Sequence, residues 1–104
     1  MKNGNFNTYL HGRLKNKPKK VELYLKYAFK DYAKDGELKF LLSAIRDVVK
    51  VYGICETARK SGLTRQGLSK ALKPDNEPKI STLKSILNAI NYNLTFNFYK
   101  IKKV

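Results

Sequence analysis

Apolar residues recur at spacings of three and four through the first half of the chain, and this period predicts two amphipathic helices. The first runs from Val21 to about Lys34, where Asp35-Gly36 breaks the pattern. The second begins at Glu37 and is ended by Gly53, since a glycine readily takes the left-handed conformation at a helix end. The expected inner faces are Val21, Tyr24, Leu25, Ala28, Phe29 and Tyr32 in the first helix, and Leu38, Leu41, Leu42, Ile45, Val48, Val49 and Tyr52 in the second.

Beyond Gly53 the predicted elements become short. A two-turn helix over 55–61 is followed by a tight turn and by a helix over 64–72, with Thr64 as its N-cap. After a loop fixed by two prolines, Ser81 is predicted to cap a further helix. The apolar stripe of that helix consists of Leu83, Ile86, Leu87 and Ile90.

The period of the pattern changes from 3.6 to 2 over 93–99, which predicts a half-buried strand with Leu94, Phe96 and Phe98 on one face. The fold class is therefore mainly α, with five helices and one C-terminal β-strand. Because a lone strand leaves backbone groups unpaired on both edges, we expect a homodimer with these three residues in its interface. The alternative is that 93–99 folds back onto its own helices.

The spacing of residues 54–72 is typical of a helix-turn-helix. Ala58 is small where two helices must approach, and Gly62 can take the left-handed conformation that bends the chain. Leu63, Leu68, Ala71 and Leu72 are expected to face inward. The remaining residues form an acid-free outer set suited to a DNA major groove, namely Thr64, Arg65, Gln66, Ser69, Lys70 and Lys73.

Within this outer set, Arg65 can donate two hydrogen bonds to guanine and Gln66 can pair with adenine in the same bidentate way. Gly67 is a defect in a helix, costing about 1 kcal/mol relative to alanine. The alternative interpretation is two ordinary short helices in a small bundle, with Gly62 as a simple C-cap.

A chain of 104 residues has room for one core, and a single domain is expected. The one cysteine, Cys55, excludes an intramolecular disulfide and a cysteine-based zinc cluster, and we expect it to fill a small space in the core. With one histidine as well, no metal or other cofactor is expected. The chain shows neither a long apolar run nor an apolar N-terminal stretch, so we expect no membrane association and a cytoplasmic location.

Charge points to a polyanionic partner, because 22 Lys and Arg residues oppose 8 Asp and Glu, a net charge of +14. The bases concentrate at the ends. We expect a basic, flexible arm over 1–17, a folded domain over 18–99 and a basic tail over 100–104. The ends are either solvated tails or arms that contact phosphates.

From about Val21 to Phe98 the chain resembles the addiction-module antidote proteins, HigA-like antitoxins with a phage-repressor-type helix-turn-helix. The resemblance rests on GLTRQGLSKAL over 62–72, on the proline-containing loop 73–78, and on the closing STLKSILNAINYNLTF. It implies a five-helix repressor-like domain whose recognition helix is 64–72. It also implies that Ser81 and Thr82 cap the helix that abuts the operator phosphates.

The functional implications of the resemblance are repression of the module's own operon and neutralisation of a small RelE-like ribonuclease toxin. The two-fold axis of the expected homodimer in turn predicts an inverted-repeat operator. The antitoxin would not itself be an enzyme. We place the toxin contact on helix 21–34 with the preceding arm, because the helix-turn-helix face is needed for DNA and the C-terminal strand for assembly. Cys55 departs from the family, whose members usually have Ser or Thr there to cap the first short helix.

Two other functions stay open at this point. A stand-alone phage or plasmid repressor would use the same helix-turn-helix without a toxin. The chain could also be a RelE-like ribonuclease toxin, since these are small and basic too, although that fold needs a multi-stranded sheet.

Overall fold

The computed structural model describes residues 18–102, and this part of the chain contains five α-helices. The predicted arm 1–17 and the last two residues of the predicted tail lie outside the described residues. The helices are α1 (Pro18–Asp35), α2 (Leu38–Tyr52), α3 (Ile54–Ser61), α4 (Arg65–Ala71) and α5 (Ile80–Ala89). The mainly helical fold and the five predicted helices are confirmed.

The helix α1 packs chiefly against α2, and the two are joined by a tight turn at Gly36. Gly36 has a φ of 72°, and its amide donates to the Tyr32 carbonyl at 2.8 Å. Halfway along the pair, the Tyr24 hydroxyl donates to Asp47 Oδ2 at 2.8 Å. Burial, and then this hydrogen bond, raise the pKa of Tyr24 above its ordinary value.

The hydrophobic core is one cluster to which all five helices contribute, and α2 supplies the largest share of its buried residues. The helix α1 adds Val21 and Leu25. The other buried residues come from α3, α4 and α5 and from the residues that end α4 and α5. The apolar side chains that are no more than 1% exposed are Leu42, Ile45, Val48, Val49, Leu68, Leu72, Ile86 and Ile90. Each such residue contributes roughly 1.5–3 kcal/mol relative to an exposed position, so the core holds the short helices in place.

Two tyrosines that the pattern assigned to packing lie at the surface. Tyr32 is 38% exposed and Tyr52 is 37% exposed, whereas Tyr24 is partly buried against the core as predicted. Both exposed tyrosines lie in the last turn of their helix.

The predicted cap at Ser81 is wrong. The helix α5 begins at Ile80, two residues earlier than a cap at Ser81 predicts, with Lys79 at the N-cap position and no capping side chain. The Lys79 carbonyl already accepts from the Leu83 amide at 3.0 Å. Ser81 therefore lies within the first helical turn, where its hydroxyl is not placed to act as an N-cap.

The C-terminal strand is not confirmed, because the structure assigns no β-strand anywhere in residues 18–102. Asn91, with a φ of 72°, turns the chain away from α5, and residues 92–102 carry no regular secondary structure. Leu94 packs on the core, but Phe96 is 60% and Phe98 is 97% exposed. A strand exists only through hydrogen bonds to a neighbouring strand, and the described part of a single chain offers none here.

Candidate nucleic-acid interface

The turn between α3 and α4 has the geometry that its residues predict. Gly62 is left-handed, with φ 79° and ψ 14°, and the amide of Leu63 donates to the Ala58 carbonyl at 3.0 Å. Ala58 is 4% exposed, which agrees with the expected small side chain where the two helices approach. A Cβ on Gly62 would meet no atom within 4 Å, so the positive φ is what favours glycine here.

Gly53 joins α2 to α3 and organises the first turn of α3. Its amide donates to the Val49 carbonyl at 2.8 Å, and its φ is 106°. The Gly53 carbonyl accepts from both the amide of Thr57, at 3.0 Å, and the hydroxyl of Thr57, at 2.7 Å. This accounts for the burial of Thr57, a polar side chain that is 1% exposed.

Cys55 is exposed, so the expectation that it fills the core is wrong. It does not stand at the N-cap of α3 either, since that position is Gly53. The face of α3 turned to the core carries Thr57 and Ala58. With about 100° of rotation per residue, Cys55 points away from that face.

The start of α4 is fixed by a cap that the sequence predicts correctly. Thr64 Oγ1 accepts from the amide of Gly67 at 2.9 Å. A Cβ on Gly67 would lie 3.1 Å from this same oxygen, a tight contact. The glycine that looked like a defect in the helix thus leaves room for the cap, a relationship that helix propensity alone did not reveal.

The C-terminal end of α4 is held by two side chains that sequence reasoning missed. Arg46 of α2 donates through Nη1 to the Leu72 carbonyl at 2.9 Å, and Asn76 donates through Nδ2 to the Ala71 carbonyl at 3.0 Å. A cation at this end also interacts favourably with the helix dipole. The one sequence signal for this contact was the position of Arg46 itself, a charged residue next to buried apolar residues of α2.

The two faces of α4 are divided as predicted. Leu68, Ala71 and Leu72 are buried, and Leu63 is half-buried against the core. The predicted outer set is exposed throughout: Thr64, Arg65, Gln66, Ser69, Lys70 and Lys73. The structure thus places these six exposed side chains on α4 and on the residues that directly precede and follow it. Of the pair at the start of α5, Ser81 is exposed and Thr82 is half-buried.

The electrostatics of this surface are dominated by bases. The acid of α3, Glu56, pairs with Arg59 at 2.6 Å and with Lys60 at 3.5 Å, and the hydrogen bond from Arg59 lowers the pKa of Glu56. The helix α4 contains no acid. The next acids along the chain are Asp75 and Glu77, in the loop that follows.

Within residues 18–102 no helix has the length and apolarity needed to cross a bilayer. The same range holds no cluster of three or more His, Cys, Asp or Glu side chains suited to a metal ion.

Comparison with known proteins identifies the family. Residues 8–98 match the family described as "probable addiction module antidote protein". The chain is also similar to an uncharacterized protein of Haemophilus influenzae, with 28% identity over 71 residues, covering 68% of this chain and 69% of that protein. No solved structure matches. Because the family match extends over most of the sequence, and agrees with the resemblance carried by residues 62–72, the chain belongs to the addiction-module antidote family.

Proposed function

We propose that this protein is an antitoxin that represses its own operon by laying α4 in the major groove of an inverted-repeat operator. The observation that carries the proposal is the exposed, acid-free face of α4, backed by buried leucines and held at both ends by hydrogen bonds. A recognition helix must keep its side chains in a fixed register on the bases, and such anchoring provides that rigidity.

Within this proposal the side chains of α4 divide into two roles. Arg65 reads guanine through O6 and N7, and Gln66 reads adenine through N6 and N7. Ser69, Lys70 and Lys73 bind phosphate oxygens and set the register of the protein on the duplex. Thr64 is already engaged as the cap of the helix, so its contribution is chiefly to position Arg65 and Gln66.

The start of α5 supplies a second proposed phosphate contact. No side chain caps this helix, so amides of its first turn are free to donate to an anion. Ser81 is exposed in that turn, and exposed Lys79 adds charge next to it. Thr82, half-buried, contributes less than Ser81.

An inverted-repeat operator requires a two-fold dimer. We propose that the segment over 93–99 makes the dimer contact, because Leu94, Phe96 and Phe98 form an apolar row that is largely uncovered in one chain. Such a dimer would set two copies of α4 one helical turn apart, about 34 Å.

For the toxin we propose a RelE-like ribonuclease bound at the groove between the end of α1 and the start of α2. This groove, ≈ 270 Å³ in volume, is lined by exposed aromatic residues, Tyr27 and Phe40, and by the acids Asp31, Asp35 and Glu37. The protein as a whole has a net charge of +14, so a groove lined by three acids differs from the rest of its surface. Such a groove is electrostatically complementary to a basic partner. None of the residues that line this groove belongs to α4, so a toxin bound there would leave α4 free for DNA.

The DNA proposal is tested by fluorescence anisotropy with a labelled fragment of the protein's own promoter across a salt series. Arg65→Ala should weaken binding by about 1–3 kcal/mol and relax the base preference at one position of each half-site. The control is Lys30→Ala, which removes an exposed base from α1 and should leave binding nearly unchanged. Equal effects of the two substitutions would contradict the role of α4.

The toxin proposal is tested by co-expression with the toxin of the same module. Phe40→Asp should abolish protection while operator binding is retained, because Phe40 is 65% exposed and distant in sequence from α4. The matched control is Phe96→Asp, on the other exposed aromatic segment, which should retain protection. Full protection by Phe40→Asp would put the toxin contact elsewhere.

A further inference from the structure

A second groove lies between α1 and the segment that follows α5. It has a volume of ≈ 430 Å³, and its apolar lining comes from Leu25, Phe29, Leu87, Tyr92 and Leu94. Leu25 and Leu87 are almost wholly buried at its floor, with 5% and 2% exposure. The groove is therefore an opening onto the hydrophobic core itself.

The chain leaves this groove at Leu94 and continues as a row of large exposed side chains. Phe96, Phe98, Tyr99 and Ile101 are 60%, 97%, 85% and 67% exposed. In an extended tail Phe96 and Phe98 lie on the face that carries Leu94, whereas Tyr99 and Ile101 lie on the other face. At roughly 150–250 Å² for a whole aromatic side chain, Phe96 and Phe98 together offer on the order of 300 Å² of apolar surface to a partner. A stable interface buries about 800 Å² on each partner, so paired tails alone do not suffice and the groove must be covered as well.

We propose that the groove is filled by Phe98 of a second copy of this chain, with the two tails paired antiparallel about a two-fold axis at Phe96. The inference deepens the dimer of the proposed function and rests on it for the two-fold arrangement only. The dimer is reciprocal, since each copy supplies one ring and one groove.

The register follows from symmetry. With the two-fold axis at Phe96, this residue lies opposite the same residue of the second copy, and each step along one strand is matched by a step in the reverse direction along the other. Leu94 therefore lies opposite Phe98, since the numbers of opposite residues add up to 192. Opposite residues share a face of the sheet. This register pairs every member of the apolar row with another member. It also sets the second copy's Phe98 beside Leu94, which lines the groove.

The charges at the rim agree with this occupant. The same register places Lys100 of the second copy opposite Tyr92. Tyr92 lines the groove together with one exposed acid, Glu22, and one exposed base, Lys26. The incoming lysine can pair with Glu22, and this pairing favours a second copy of the chain over an apolar peptide without a base.

Sedimentation equilibrium of the full chain tests the occupant. Phe98→Ala should raise the dimer dissociation constant on the order of 100-fold, because each dimer loses two buried rings. Tyr99→Ala removes an equally large exposed ring from the opposite face and should change it by less than about threefold. Since Phe98 is 97% exposed, the substitution should leave the helical circular dichroism unchanged.

Disulfide trapping tests the register. In a Cys55→Ser background, Phe96→Cys should form a covalent dimer on mild oxidation, because only this residue lies opposite itself, whereas Asn97→Cys should not. Equal trapping at 96 and 97, equal effects of Phe98→Ala and Tyr99→Ala, or a wild-type monomer at tens of micromolar would each overturn the proposal. A monomer would leave the groove to the chain's own tail or to another protein.

The two proposals fail separately. A trapped, Phe98-dependent dimer that does not bind promoter DNA would contradict the DNA-binding function alone. If the protein binds its operator but its dimer dissociation constant does not change on Phe98→Ala, only the proposed occupant of the groove is contradicted.

Discussion

The amide of Gly67 donates to Thr64 Oγ1 at 2.9 Å, and any Cβ on Gly67 would lie 3.1 Å from the same oxygen. The two residues therefore form one unit at the start of α4. The threonine supplies the cap, and the glycine keeps open the space that the cap occupies. The unit sets where the helix begins, and with it the direction of Arg65 and Gln66.

This pair predicts a non-additive response to substitution. Gly67→Ala in the wild type should gain less than the roughly 1 kcal/mol that helix propensity offers, because the new methyl group crowds the cap. Thr64→Ala should cost about 1 kcal/mol through loss of the cap. In the Thr64→Ala background Gly67→Ala should recover its full gain. Urea denaturation of the four proteins measures the coupling, and strict additivity would contradict the crowding.

The hydrogen bond from Arg46 to the Leu72 carbonyl predicts that α4 depends on a residue of α2. Arg46→Met should lower the free energy of unfolding by about 1.5–3 kcal/mol, the range for a hydrogen bond to a charged group, and should weaken promoter binding. Lys50→Met, one turn later on α2, is the control and should have a smaller effect on both. A stable Arg46→Met protein with unchanged DNA affinity would show that this contact does not position α4.

Phe96→Asp should produce a monomer that keeps its helical signal, because Phe96 is 60% exposed and lies outside the core. The charge would fall on the proposed two-fold axis, opposite its own copy, where like charges repel. Most operator affinity should be lost with the dimer. Sedimentation and anisotropy on the same sample measure both effects, and a dimeric Phe96→Asp protein would contradict the interface.

Alkaline pH should destabilise the protein through Tyr92. Burial, and then neighbouring Tyr52, raise the pKa of Tyr92 from 10.0 to about 12. The raised value means that Tyr92 stabilises the fold fully below pH 10, and that this contribution is lost as the pH rises towards 12. Tyr92→Phe should flatten the fall in stability over that interval. Thermal denaturation at a series of pH values tests this, with Tyr99→Phe as an exposed control.

Local patterns predicted much of this fold because burial imposes its own period on each helix. The stripe through Leu41, Leu42 and Ile45 located α2, and the Ala58–Gly62 spacing located the turn before α4. Thr64 was identified as a cap because its role involves only the next three residues. Thr64 shows that a local feature can be predicted from sequence, whereas the cap at Ser81, an equally local prediction, was wrong because α5 begins earlier.

Features that depend on residues distant in sequence, or on the rotational phase of a short helix, were not predicted from the sequence. Arg46 and Leu72 are 26 positions apart, and nothing local marks their contact. The face of Cys55 depends on the rotational phase of a helix of eight residues, which is too short for its apolar pattern to fix. The row at Leu94, Phe96 and Phe98 has the pattern of a strand, but the ladder requires a second strand that the described part of one chain does not supply.

The central claim, that α4 reads an inverted repeat as a dimer, is tested most directly by selecting binding sites from a random DNA library. The wild type should enrich two half-sites of opposite orientation, with centres one helical turn apart, about 34 Å along the duplex. Arg65→Ala should enrich the same arrangement with one guanine preference lost from each half-site. Enrichment of no motif by the wild type, or of an identical motif by Arg65→Ala, would contradict the account.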